Sequence, residues 1–190
     1  MPRHRAFDEV SVVLAARDLF WERGYAATSL AQLQEATGLS RSSLYETYGS
    51  KRGLFERALR SYLDEVLLPM LEPLDAPDAG RGELVDYYRA LADLIRSAPA
   101  RMPNRGCLML TTSVEIDELD DDASQLAKGY CVRIRAAIRH ALEAIPSVTN
   151  PAERADVLVA SQLGLLAVAR LDAATAVRMA DGVTAEIESW

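Results

Sequence analysis

The chain has 190 residues, 49% of them hydrophobic and 26% charged, with a net charge of −7, a composition that excludes disordered and fibrous classes. No run approaches the ~20 apolar residues of a membrane span, and Met1-Pro2-Arg3-His4-Arg5 opens the chain without the apolar core or cleavage site of a secretory signal. Two cysteines, Cys107 and Cys131, do not make a secreted disulfide scaffold, so the expected setting is cytoplasmic, with no membrane partner.

Apolar residues recur at spacings of three and four throughout, and strand-like alternation is absent, which predicts an all-α fold. In the first helix Val13, Ala16 and Phe20 share a face and Gly24 follows as a stop. Thr28 is expected to cap a second short helix, with Leu30, Leu33 and Ala36 inward and Gly38 ending it. Ser40 caps a third, about two turns long and reaching Tyr45. After Gly49, Ser50 caps a fourth helix running through Leu54, Ala58 and Tyr62 towards Leu68.

Pro69–Gly82, rich in Pro, Asp and Gly, reads as a break. Further helices are expected near Glu83–Ser97, Cys107–Glu118, Ala123–Ala144, Ala152–Arg170 and Asp172–Ser189. Loops between them are marked by Pro99, Pro103 and Gly106, by the acidic run Asp117–Asp122, and by Pro146 and Pro151. No flexible linker separates residues 50 and 68. The expected division is therefore a small domain at 1–50 and a larger one at 51–190, with the helix of about 50–68 joining them.

Charge is unevenly spread. Residues 1–60 carry nine Lys or Arg against seven Asp or Glu, whereas the rest is strongly acidic. A mildly basic head on an acidic body suits a protein that meets phosphates at one end only. Within that head, residues 28–48 have the form of a helix-turn-helix, in which the second helix enters the major groove and its first residues meet base edges. Those residues are Arg41, Ser42 and Ser43, and Leu44 turns back to the core.

Helix N-termini carry partial positive charge and favour acidic residues there. This chain instead places Arg41 in the first turn of the third helix, and Lys51 with Arg52 in that of the fourth. A bound phosphate reverses the sign, since N-terminal amides and cations then act together on it. Tyr45 and Tyr48 add hydroxyls that can reach phosphate oxygens.

From Val12 to Phe55 the chain resembles the N-terminal signature of the TetR family. The matching words are Ala15-Ala16, Leu19-Phe20, Arg23-Gly24-Tyr25, Ala27-Thr28-Ser29, Gly38-Leu39-Ser40, Leu44-Tyr45 and Ser50-Lys51-Arg52-Gly53-Leu54-Phe55. Thr37 stands where Ala is usual and Tyr48 where Phe is common. The resemblance implies a three-helix DNA-binding head and a helical ligand-binding and dimerisation domain, acting as a repressor released by a small-molecule effector. It implies that Thr28, Lys51, Tyr45 and Tyr48 hold phosphates of a double-stranded operator. Arg41, Ser42 and Ser43 remain to read bases, and Arg is the commonest reader of guanine.

The body is less constrained. Ala152–Arg170 is apolar on nearly all sides, read either as a central core helix or as a helix shared with a dimer seam, with Gly164 allowing close approach. TetR-like proteins dimerise through their last two long helices, and Leu158, Gln162, Leu165, Leu166 and Ala169 are the expected homodimer contacts. Tyr62, Met70, Tyr87, Tyr88, Leu91, Cys107, Met109, Leu110 and Thr111 either form plain core or line a pocket, which by family analogy would take a small hydrophobic effector, with Thr112 and Ser113 adding hydroxyls. The words Asn104-Arg105-Gly106-Cys107-Leu108-Met109 resemble those of a TetR subgroup with electrophile and oxidant sensors. Cys107 is accordingly either a reactive thiol of depressed pKa, helped by Arg105, or a buried small hydrophobe.

An enzyme has little support. The chain lacks a Gly-rich phosphate loop, a His-Glu-x-x-His motif and a nucleophile elbow. Its histidines are His4 and His140, and Glu115–Asp122 lacks calcium-loop spacing. Neither a metal nor a cofactor is expected.

Overall fold

The computed structural model describes residues 8–97, 105–119 and 121–190. The expected loop markers Pro99 and Pro103, His4 with the rest of 1–7, and Asp120 of the acidic run lie outside the described residues. Among the described residues the chain is helical with no strand.

Asp8 caps α1 (Glu9–Arg23) by accepting from the Val10 amide, and Val12, Ala16 and Phe20 form its buried stripe. α2 (Leu30–Thr37) is capped by Ser29, not Thr28. Both residue types cap helices, but only Ser29 has a glutamine three residues on. Gln32 returns its side-chain oxygen to the Ser29 amide at 2.8 Å, closing a capping box. Thr28 is buried instead and donates to the Gly24 carbonyl at 2.7 Å.

α3 (Arg41–Tyr48) and α4 (Lys51–Tyr62) start at Ser40 and Ser50, whose hydroxyls accept from the Ser43 and Gly53 amides. α4 packs along α1, where Phe20 meets Phe55 edge-on with centroids 4.9 Å apart. Trp21 meets Tyr62 in the same way at 4.7 Å. Truncating a buried Phe at such a contact costs about 3–5 kcal/mol.

The expected break at Pro69–Gly82 begins later than Pro69, since the chain leaves helix only between Asp75 and Arg81. The helix widens into a π turn at Leu63–Leu67 and continues as α5 (Leu68–Leu71) before a 3₁₀ turn at Glu72–Asp75. Pro69 has no N–H, and its ring opposes the carbonyl four residues back, so the backbone there shifts register rather than ending. The Leu68 amide accordingly bonds the Leu63 carbonyl.

The body comprises α6 (Arg81–Arg96), α7 (Leu108–Val114), α8 (Asp121–Glu143), α9 (Pro151–Ala169) and α10 (Ala173–Ser189). α10 packs on α6 and α9, α8 packs on α9, and α4 reaches α8 at its far end. The reading of α9 as a core helix holds for one of its two faces. Ala155, Leu158, Gln162, Leu165, Leu166 and Ala169 are buried in the chain's own core, while Val157 is 63% exposed. No helix among the described residues is long and apolar enough to cross a membrane.

Candidate nucleic-acid interface

The turn between α2 and α3 follows from three residues. Gly38 takes the left-handed conformation (φ 70°, ψ 5°) and donates its amide to the Gln34 carbonyl, a geometry that a Cβ disfavours. Thr37 donates its hydroxyl to the Leu33 carbonyl at 2.6 Å and accepts from the Leu39 amide at 3.3 Å. Leu39 and Leu44 are buried, which fixes α3 against the core by its inner side.

The outer side of α3 is polar. Arg41, Ser42 and Tyr45 are exposed and Ser43 is half-buried. The Ser40 hydroxyl lies 2.9 Å from those of both Ser42 and Ser43, and the Arg41 guanidinium sits 5.6 Å from the centre of the Tyr45 ring. Thr47 is also exposed, four residues on from Ser43. The i,i+4 spacing could have placed it on this surface from the sequence.

Three of the expected phosphate contacts are placed differently. Thr28 is 1% exposed and its hydroxyl is already committed to Gly24, so its side chain is not on this surface. The Tyr48 hydroxyl is buried without a hydrogen-bond partner among the described residues. Desolvation, with Glu9 adding to it and Arg57 opposing it, raises the Tyr48 pKa. Lys51 folds back: its Nζ donates to the Tyr25 carbonyl at 2.5 Å and lies 4.1 Å from the Tyr25 ring centre. Partial burial lowers the Lys51 pKa, with Glu115 opposing the shift.

In the body, the expected pocket residues fall into two groups. Tyr62, Tyr87, Tyr88, Leu91, Cys107 and Met109 are buried, whereas Met70, Leu110 and Thr111 are only partly so. Tyr87 donates to Gln162 Oε1 at 2.8 Å, Gln162 Nε2 donates to the Tyr130 hydroxyl at 3.3 Å, and Tyr88 donates to the Leu158 carbonyl at 2.7 Å. Gln162 is therefore part of an interior polar network.

The same burial corrects the expected dimer contacts. Gln162, Leu165, Leu166 and Ala169 face the chain's own core, and Leu158, though buried, also borders the groove between α9 and α10. A clearer amphipathic pattern would have marked the inward face, but beyond Asp156 α9 is apolar on nearly all sides.

Cys107 is 2% exposed. Burial pushes its thiol pKa up, the Leu110 and Met109 amides and the Tyr62 hydroxyl only partly offsetting this. The expected depression is not found. Arg105 turns away to Asp18 at 3.1 Å and to the Trp21 ring. Among the described residues no group of three or more His, Cys, Asp or Glu is placed to hold a metal.

Residues 12–58 match the family model for bacterial regulatory proteins of the tetR family. The chain is 31% identical to the HTH-type transcriptional regulator YezE of Bacillus subtilis over 75% of its own length and 72% of that protein's. The chain belongs to the TetR family. A second relative, the HTH-type transcriptional repressor ComR of Escherichia coli, is 33% identical over 66% of this chain and 59% of ComR.

Among solved structures, the TetR-family regulator CifR, a cysteine mutant complexed with 26 bp double-strand operator DNA, matches with a TM-score of 0.72 and 26% identity over 96% of this chain and 98% of CifR. Reduced E. coli NemR shares the fold at a TM-score of 0.80 and 19% identity, covering 95% of this chain and 94% of that one. The TetR assignment makes this chain a helix-turn-helix transcriptional regulator.

Proposed function

We propose that the chain represses transcription by binding a palindromic double-stranded operator as a homodimer, and that a small hydrophobic effector in its body releases it. The observation that carries DNA binding is the outer side of α3, where Arg41, Ser42 and Tyr45 stand exposed at a helix N-terminus with no acidic residue in its first turn. Arg41, Ser42 and Ser43 read bases, while Tyr45 and Lys51 meet phosphates. Residues 1–50 act as the head and 51–190 as the body. A repressor of chromosomal genes works in the cytoplasm.

Dimerisation is supported by the outer faces of α9 and α10. A groove of about 1060 Å³ runs between them, lined by Val157, Ser161, Gly164, Met179, Val183 and Trp190 among others. A Cβ added at Gly164 or at Gly182 meets nothing within 4 Å. Glycine inside a helix costs about 1 kcal/mol relative to alanine, and nothing in the chain itself requires it there. A second copy packed closely on this face supplies the reason, and twofold symmetry then matches two operator half-sites.

The effector is assigned to the interior around Tyr62, Met70, Tyr87, Tyr88, Leu91, Cys107, Leu110 and Thr111. The aromatic walls there suit an apolar molecule, and the Tyr87–Gln162–Tyr130 network offers it polar partners.

A mobility-shift titration against the gene's own upstream region, repeated across salt concentrations, tests the DNA surface. Arg41→Ala relaxes choice at one base position by ~1–3 kcal/mol. Lys51→Ala weakens all duplexes about equally and lowers the salt slope by about one. If both variants bind like the wild type, the assigned surface is wrong.

A further inference from the structure

Among the contacts between body and head, three join residues 105–115 to α1 and the turn after it, and one of these leads to the DNA surface. Trp21 donates its indole N–H to the Gly106 carbonyl at 3.0 Å, and Arg105 pairs with Asp18 at 3.1 Å. Both hold the C-terminal half of α1. The third is Glu115, the residue that ends α7. Its carboxylate accepts from the backbone amides of Tyr25 at 2.8 Å and Ala26 at 3.3 Å, in the turn between α1 and α2.

That turn is shaped to receive the carboxylate. Gly24 has φ 83°, and a Cβ added to it would lie 2.6 Å from Glu115 Oε1. The Tyr25 residue is then held from both sides. Its N–H is bound by Glu115 of the body, while its carbonyl accepts from the Thr28 amide at 3.3 Å and from the Lys51 ammonium at 2.5 Å. Lys51 is the first residue of α4, directly after the turn that ends α3. Fixing Tyr25 therefore fixes where the Lys51 charge is held.

We propose that Glu115 is a positioning residue for DNA binding, through which the body sets the Lys51 ammonium by way of the Tyr25 residue. α7 is suited to this. Its N-terminal neighbour Cys107 and its own Leu108, Met109 and Thr112 are buried in the core, so a displacement of that core moves the helix and the carboxylate together. Charge-assisted hydrogen bonds of this kind are the stronger ones in proteins. The inference rests on the reading of Lys51 as a phosphate contact.

The test is a double-mutant cycle on Glu115 and Lys51, with the upstream-region duplex titrated at several salt concentrations. Glu115→Ala is expected to weaken binding by about tenfold and to lower the salt slope towards that of Lys51→Ala. The double variant is expected to bind no worse than Lys51→Ala alone. Glu115→Gln keeps an acceptor for one amide and should fall between wild type and Glu115→Ala. It carries the same test should Glu115→Ala lose its helical circular dichroism.

A plain charge effect has the opposite sign, since removing a carboxylate beside DNA tightens binding. Tighter or unchanged binding of the Glu115 variants overturns the proposal. So do losses that multiply in the double variant. If Lys51→Ala itself binds with the wild-type slope, the phosphate reading falls first and the relay falls with it.

Discussion

Tyr87 on α6 donates its hydroxyl to Gln162 on α9 at 2.8 Å, across the middle of the body. Gln162 is 1% exposed and passes its amide on to the Tyr130 hydroxyl. Burial pushes the Tyr87 and Tyr130 hydroxyls far above their usual range, so all three groups remain neutral and depend on each other for hydrogen bonds.

Replacing Gln162 with Leu removes the central partner and leaves the two buried hydroxyls short of hydrogen bonds, with only each other as partner. An unsatisfied buried group costs about 1–3 kcal/mol, so Gln162→Leu is expected to destabilise the chain by about 2–4 kcal/mol in urea unfolding. Adding Tyr87→Phe and Tyr130→Phe removes the orphaned groups and should restore most of the loss. A triple variant less stable than Gln162→Leu would show that the network is not what the three residues contribute.

Much of this architecture was legible in the sequence, and the misreadings have definite causes. The helix-turn-helix is local, written in Gly38, Ser40 and Ser50, so its turn and its two caps were readable. The Ser29 cap was readable too, since the Ser-x-x-Gln word of Ser29 and Gln32 names it over Thr28. Pro69 misled because a proline's usual effect, ending a helix, was absorbed by a π turn. The inward face of α9 had little signal, because beyond Glu153, Arg154 and Asp156 the helix is apolar on nearly all sides and does not say which side meets its own core. Glu115 was invisible for another reason: it contacts Tyr25 across 90 residues of sequence, and no local pattern encodes that pairing.

Tyr48 offers a second test, because its side chain separates a phosphate contact from an internal one. Its hydroxyl is buried and unpartnered among the described residues. Removing a polar atom that has lost its water and gained no partner relieves a penalty of about 1 kcal/mol or more. Tyr48→Phe is therefore expected to unfold at a higher temperature and to leave the salt slope of DNA binding unchanged. A lowered slope would return the hydroxyl to the phosphate surface.

The outer face of α9 is tested by Gly164→Arg. A Cβ there meets nothing within 4 Å, and the groove it borders leaves room for a longer side chain. In a dimer that packs closely on this face, the same side chain blocks the second copy. Gly164→Arg is expected to halve the mass seen by light scattering while keeping its helical signal. Leu166→Ala, on the buried face of α9 and outside the groove, should instead cost about 2–5 kcal/mol of stability and keep the wild-type mass at high concentration. An unchanged mass for Gly164→Arg removes this face as the interface.

The two cysteines make opposite predictions. Cys131 is exposed and Cys107 is buried, so a brief treatment with a maleimide, read by mass spectrometry, should label Cys131 and spare Cys107. Stability follows the same burial. The Cys107 pKa is raised in the folded chain, so the unfolded chain gives up this proton at lower pH. Its contribution is present in full below the ordinary thiol range of about 8.5, and is lost as pH rises from there towards the raised value. Cys107→Ala should therefore show a shallower fall in stability than the wild type as pH rises above about 8.5. Rapid modification of Cys107 at neutral pH, with release of DNA, would instead make it the sensing residue and overturn the assignment of release to a hydrophobic effector.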